Sequence, residues 1–425
     1  MDNKTGLRAL LRNRNFRYLW TGQVVSDFGD SLTNLALLIT INQLTGSTAA
    51  LATMLIVLTI PQVTFGLVAG VYVDRWDRKR IMIVSDLLRG LLVLGFVLVR
   101  SADMIWLLYV IGFLQASVGT LFTPAKSALL PNLMEKEALL SANSISQTSR
   151  VVFNVLGTTA AGVVIGVFNV TWPAFALDAL TFFFSVLMVS RIKTPAFVPD
   201  LAAGKGSLGA VFGQLSDGIR VIAHNRLLGG TLVAAGMTML GLGMVNVLIV
   251  PLILNEMQLP ATWFGLVEFA QVSAMVLSSA LVVAWAARLK PSTIISVALV
   301  LLGALIAAIA PAGSIIYLAV ILFGVGLFVT PVQAAVSTIS QTAVEDTMRG
   351  RVGAALSTLV STATLLSMAL AGICAQMLGL RNVFILGGAV VVLAGIASAV
   401  VFRSAPAKPL PTGERVTPEA NPAGA

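Results

Sequence analysis

The chain has 425 residues, of which 57% are hydrophobic and only 11% charged, and its formal net charge is +9. A water-soluble domain of that length cannot cover its surface with so little polar sequence, so the apolar excess must face lipid. A soluble enzyme and a nucleic-acid-binding domain are both excluded: the basic surplus sits in short loops beside long apolar segments, which is an orientation signal.

The N-terminal Lys4, Arg8, Arg12, Arg14 and Arg17 precede an apolar segment too long for a signal peptide and without a small-residue cleavage site, so a retained first helix is expected. Crossing a hydrocarbon core of about 30 Å takes about 20 helical residues. Twelve segments qualify, at about 18–42, 48–73, 81–100, 104–126, 144–167, 172–192, 227–253, 261–287, 291–311, 314–338, 352–378 and 382–402. Basic residues fall in every second loop; only Arg100 and Arg381 lie in the alternate loops, and Arg89 and Arg150 within spans. The expectation is an inner-membrane, multi-pass protein with both termini cytoplasmic.

The predicted organisation is a cytoplasmic N-terminus (1–17), a six-helix bundle (18–192), a cytoplasmic linker (193–226), a second six-helix bundle (227–402) and a disordered tail (403–425). Within the linker Leu208, Phe212, Leu215, Ile219 and Ile222 recur at helical spacing, which predicts an amphipathic helix at the cytoplasmic interface, with His224 facing solvent. The halves repeat: Phe122-Thr123-Pro124-Ala125 is echoed by Val329-Thr330-Pro331-Val332, Met134-Glu135-Lys136 by Val344-Glu345-Asp346, and Ala161-Gly162-Val163 by Ala371-Gly372-Ile373. The expected fold is therefore all-α, with twelve transmembrane helices in two pseudo-symmetric six-helix bundles. Halves repeated in parallel place a substrate site between them near the midplane.

After span 2 the chain reads Gly70-Val71-Tyr72-Val73-Asp74-Arg75-Trp76-Asp77-Arg78-Lys79-Arg80. An aspartate at a helix C-terminus opposes the dipole and needs a cationic neighbour, and a glycine one turn earlier admits a neighbouring helix. This stretch resembles the signature cytoplasmic loop of the major facilitator superfamily, with Asp77 standing where that family usually has glycine. The resemblance covers about residues 10–403. It implies a loop that latches the halves when the cavity opens outward. Thr21 to Asp30, Ser85 to Gly90 and Phe122 to Asn132 are further similar to the branch of macrolide-efflux pumps and the enterobactin exporter. The drug antiporters' helix-5 glycines have counterparts in Gly157, Gly162 and Gly166, without the proline that often accompanies them.

Charge inside a bilayer costs about 2.5–3.5 kcal/mol per side chain on insertion scales, so each such residue calls for a partner, a wet cavity or a proton. Asp27 and Asp30 share one face of span 1 with Gln23 and Asn34. Two such carboxylates cannot both ionise cheaply, which suits proton coupling; a polar face lining a wet cavity is the plainer alternative. Glu268 in span 8, with Gln271, suits a second protonatable group, a contact to a cationic substrate, or a wet vestibule. Asp178 in span 6 is a further candidate that an interhelical hydrogen bond would also explain. Asp86 and Arg89 are spaced to pair and, with Arg150, to extend the latch formed by Gly70, Asp74, Arg75, Asp77, Arg78, Lys79 and Arg80.

The family pattern implies that helices 1, 4, 7 and 10 line the cavity, with Gln115, Thr123, Thr238, Asn246 and Gln333 as their sparse polar residues. Met237, Met239 and Met244 add adaptable apolar surface, or serve as ordinary packing. No phosphate-loop motif and no histidine or cysteine cluster is present, so no cofactor, metal or ATP use is expected and a proton gradient would supply the energy. The expected function is export of amphipathic, drug- or macrolide-like molecules by proton antiport from a monomer in the bilayer, with no nucleic-acid partner. A siderophore or secreted-metabolite exporter is the alternative, and a lipid-moving protein or a sensor a more distant one.

Overall fold

The computed structural model describes residues 7–66, 69, 73, 75–194, 208–286, 289–344 and 346–403. A short helix, Leu7–Arg12, leads into twelve long ones. The first half comprises α1 (Arg14–Thr45), α2 (Thr48–Thr64), α3 (Arg78–Phe96), α4 (Ile105–Leu129), α5 (Leu139–Phe168) and α6 (Trp172–Ser190). The second comprises α7 (Arg226–Pro251), α8 (Phe264–Ala286), α9 (Pro291–Ala307), α10 (Ile315–Thr342), α11 (Asp346–Leu378) and α12 (Leu380–Arg403). Twelve helices in two six-helix bundles are the predicted fold.

Among the described residues nine helices are long and apolar enough to cross a membrane. The helices Thr48–Thr64 and Pro291–Ala307 are apolar but shorter, and α3 carries Arg78, Lys79, Arg80, Asp86 and Arg89. Large apolar side chains cover the outer surface, among them Leu91, Leu98, Trp106, Val276, Ile316 and Leu393. That pattern suits lipid contact, since lipid carries no penalty for exposed hydrocarbon.

The same local devices recur in both halves. Asn13 caps α1 by accepting from the backbone amides of Asn15 and Phe16 at 3.0 and 3.1 Å. Asn225 caps α7 in the same manner through Leu227 and Leu228 at 3.0 and 3.2 Å. Each cap satisfies amides that the first turn leaves without partners. Pro124 sits inside α4 and Pro331 inside α10, at the equivalent place in each repeat.

The halves meet at the end opposite the one where α1 begins and α12 finishes. There the Asn42 and Asn255 side-chain amides exchange two hydrogen bonds of 2.8 and 3.1 Å, and Gln376 donates to Ser47 at 3.4 Å. Gly372 on α11 lies against Thr48, Ala49 and Ala52 of α2, where a methyl group would collide with Ala52. A glycine there lets the two halves touch along backbone.

The linker helix, Leu208–His224, matches the amphipathic segment in the sequence. It packs on the second half: Ile222 is buried, Gly218 lies on the Arg351 carbonyl, and Asp217 pairs with Arg351 at 2.9 Å. His224 is exposed, its Nδ1 2.8 Å from the Arg220 carbonyl oxygen. The tail beyond Arg403 lies outside the described residues.

Candidate functional site

Two cavities open inside the bundle and share a wall. One, of about 290 Å³, lies within the first half and is lined by Asp27, Asp30, Asn34, Arg89 and Gln115, with Ser31 and Asn154. The other, of about 330 Å³, lies between the halves and is lined by polar residues, among them Asn34, Thr158, Asn246, Glu268 and Gln271, together with apolar ones such as Leu35, Val245, Phe264, Leu322 and Met368. Ser31, Asn34 and Asn154 face both. The Ser31 hydroxyl donates to Asn154 Oδ1 at 3.1 Å, so α1 and α5 are tied together where the cavities join.

Arg89 organises the polar side of the first cavity. Its Nη2 donates to Asp30 Oδ1 at 2.6 Å, linking α3 to α1, and its Nη1 lies 3.8 Å from Asp86 Oδ1. The guanidinium also lies over the Phe182 ring, 4.3 Å from its centroid, a geometry in which the ring's negative face stabilises the cation. Asp86 is fully buried and accepts from the Ser185 hydroxyl at 2.6 Å. Asp178 is also fully buried: its Oδ1 accepts from Thr181 at 3.1 Å, and it lies close enough to act electrostatically on Arg89. A methyl group at Gly29 would strike both Asp178 Oδ1 and Thr181 Oγ1, so glycine there is what lets α1 approach α6. Lys126 and Arg150 act electrostatically on Asp27 from the end where α1 begins.

The predicted residues separate under this geometry. Asp27, Asp30, Asn34 and Gln115 meet around the first cavity, and Asn34, Asn246 and Glu268 around the second. The Glu268 carboxylate has no hydrogen-bond or ion-pair partner among the described residues. Thr238 lines neither cavity: it is buried and donates to the Ala234 carbonyl of its own helix at 2.8 Å. Gln23, Thr123 and Gln333 also lie outside the two walls, the last two exposed towards the end that carries the termini. Ser31, Asn154, Thr181 and Ser185 are the polar residues that sequence reasoning passed over. Their signal was helical spacing, Ser31 four residues after Asp27 and Asn154 four after Arg150.

In the signature loop, Gly70 and Asp74 lie outside the described residues. Asp77 caps α3, accepting from the Lys79 and Arg80 amides at 2.9 and 3.3 Å, which gives a physical reason for aspartate at this position. Arg78 donates to the Ala128 carbonyl at 3.1 Å and Lys79 to the Ile192 carbonyl at 2.7 Å. Both cations thus meet the carbonyl-rich ends of α4 and α6, where the helix dipole favours positive charge. Among the described residues no group of three or more His, Cys, Asp or Glu could hold a metal ion.

The transmembrane secretion effector family matches residues 5–413. Macrolide efflux protein A of Streptococcus pyogenes is 24% identical over 387 residues, covering 90% of this chain and 94% of its own. The putative bacilysin exporter BacE of Bacillus subtilis is 28% identical over 211 residues, about half of each chain, 50% and 51%. The crystal structure of the nucleoside transporter NupG superposes with a TM-score of 0.73 at 12% identity, covering 91% of this chain and 99% of the other. This chain is a membrane transporter of the major facilitator superfamily, belonging to the transmembrane secretion effector family and to the branch that contains the macrolide efflux proteins.

Proposed function

We propose that the chain exports amphipathic small molecules, drug- or macrolide-like, by exchanging them for protons across the cell membrane while its two halves rock about the shared cavity. The observation that carries this reading is the Asp30–Arg89 pair on the cavity wall, in a setting where carboxylates outnumber cations. Asp30, Asp86 and Asp178 all act on one buried arginine. Three carboxylates cannot stay ionised around one cation in a low dielectric, so charge balance there requires bound protons. A proton taken up by this carboxylate cluster changes the balance around Arg89, and a weakened Asp30–Arg89 contact frees the guanidinium for Asp86 and loosens α1 from α3. Proton binding is thereby coupled to a movement of the helix that walls both cavities.

The substrate reading rests on the second cavity. Its wall is mixed: apolar side chains such as Leu35, Val245, Phe264, Leu322 and Met368 alternate with Ser31, Asn34, Asn154, Thr158, Asn246, Gln271 and Glu268, whose carboxylate has no partner among the described residues. Such a lining suits bulky amphipathic molecules, which gain affinity from apolar burial and orientation from a few polar contacts. The seam at Asn42–Asn255 and Gly372 supports a conformer closed at the far end. The alternation of basic loops supports placing both termini on the cytoplasmic side of the inner membrane, and we take the chain to act as a monomer. A secreted metabolite, a siderophore included, is a second reading; the likeness to a putative bacilysin exporter favours it.

A drug-susceptibility panel in an efflux-deficient host tests the function. Intact protein should raise resistance to at least one lipophilic compound, and Asp30→Asn should abolish the gain at equal expression. A panel in which Asp30→Asn protects as well as the intact chain would overturn the proton-coupled reading.

A further inference from the structure

We propose that the ends of α1 and α6 next to the termini form a binding site for the phosphate headgroup of an anionic membrane phospholipid. A pocket of about 300 Å³ lies there, lined by Arg14, Asn15, Tyr18, Arg191 and Lys193. Three of its five described lining residues are cations and none is acidic. Arg17 adds a fourth positive charge close enough to act on the Tyr18 hydroxyl, as Arg14 and Arg191 also do.

The pocket is built, not merely charged. The Asn15 side-chain amide grips the Lys193 backbone in both directions, Nδ2 donating to its carbonyl and Oδ1 accepting from its amide, each at 3.0 Å. Lys79 holds the neighbouring Ile192 carbonyl at 2.7 Å. Arg14 is fixed by donating from Nε to the Tyr18 hydroxyl at 2.9 Å, with its guanidinium 5.5 Å from the centre of that ring. The Arg14 side chain and the Lys193 backbone are thus held in place, and Arg191 directly follows the last residue of α6. Guanidinium groups pair with phosphate through parallel N–H donors, which makes phosphate the chemistry this arrangement recognises.

A lipid, in preference to free phosphate, is indicated by what lies above the pocket. Leu177, Leu180, Phe184 and Leu187 are exposed along one face of α6 at spacings of three and four residues, and Arg191 is the next position on that face. An acyl chain laid along this stripe ends with its headgroup at the pocket. Residues of the transport cavities take no part, so the inference stands apart from the proposed export activity.

Native mass spectrometry of the full chain, purified in detergent and offered phosphatidylglycerol or phosphatidylcholine, tests the site. Each Lys or Arg at an anionic headgroup strengthens binding roughly fivefold, so Arg14→Gln/Arg191→Gln/Lys193→Gln should lose at least about tenfold of the phosphatidylglycerol affinity. A control that neutralises Arg220, Arg226 and Lys290 at the same end should retain it. Lys193→Gln alone should weaken binding about fivefold, and it serves if the triple variant does not fold. The site is refuted if the triple variant or, failing that, Lys193→Gln binds phosphatidylglycerol like the intact chain, or if the control loses as much. Equal binding of phosphatidylcholine, or complete displacement of the lipid by inorganic phosphate, would likewise refute an anionic-lipid site.

Discussion

Arg89 on α3 and Asp30 on α1 are 59 positions apart in the chain, and their side chains meet at 2.6 Å. The arginine is largely enclosed, resting on Phe182 with Asp86 on its other side. Such a pair sits badly in a membrane interior unless each member keeps the other.

Removing the arginine leaves the carboxylates around it uncompensated. Arg89→Gln is expected to destabilise the first half by about 3–5 kcal/mol, the range for breaking a buried pair from one side. Arg89→Lys should recover part of that stability but little transport, because a point charge replaces a planar group that contacts Asp30, Asp86 and the Phe182 ring together. Thermal unfolding in detergent and efflux at matched expression separate the two effects.

Close approach of α1 and α6 depends on Gly29. Gly29→Ala places a methyl group against Asp178 and Thr181 and should cost about 1–3 kcal/mol through overpacking. Thr181→Ala combined with Gly29→Ala removes one of the two colliding atoms and should return part of the loss, measurable as a double-mutant cycle.

The far-end seam has to part if the cavity is to face both sides. With Cys374 first replaced by Ser, Asn42→Cys/Asn255→Cys should be bridged by a short bis-methanethiosulfonate cross-linker, since the reciprocal amide pair brings the two side chains together but holds their Cβ atoms too far apart for a direct disulfide. Cross-linking is expected to stop transport and a reductant, which cleaves the linker's disulfides, to restore it. Full activity in the cross-linked protein would show that the seam does not open.

The Asp217–Arg351 bridge fastens the linker helix to α11, yet both side chains are more than two-fifths exposed. Arg351→Ala should therefore change stability by less than about 1 kcal/mol, the usual worth of a surface ion pair. A larger shift in the unfolding temperature would mean that the linker helix carries more of the second half's stability than its buried Ile222 and Gly218 contacts suggest.

Much of this architecture was legible before any coordinates. Apolar runs of membrane length follow directly from the hydrocarbon solvent, so the helix count could be read off the chain. Asn34, Gln115, Asn246 and Glu268 stood out because a polar residue in an apolar run needs a reason. Spacing within one helix pointed Arg89 towards Asp86, but the shorter contact is to Asp30 on another helix, and helix-to-helix register is not written in local periodicity. Thr238 shows the converse limit, a hydroxyl on a cavity helix that satisfies itself on its own backbone. Ser185 and Asn154 drew no notice because small polar residues are common in membrane helices, and only their partners give them meaning.

The central claim is that acidic side chains beside the cavity exchange protons as substrate moves. Vesicles reconstituted with the purified chain, loaded with a lipophilic substrate found in the susceptibility panel and given an imposed pH gradient, test it most directly. The account predicts gradient-driven substrate flux with counterflow of protons, abolished by Asp30→Asn while substrate exchange without a gradient persists. Flux that ignores the gradient, or that Asp30→Asn leaves intact, would contradict it.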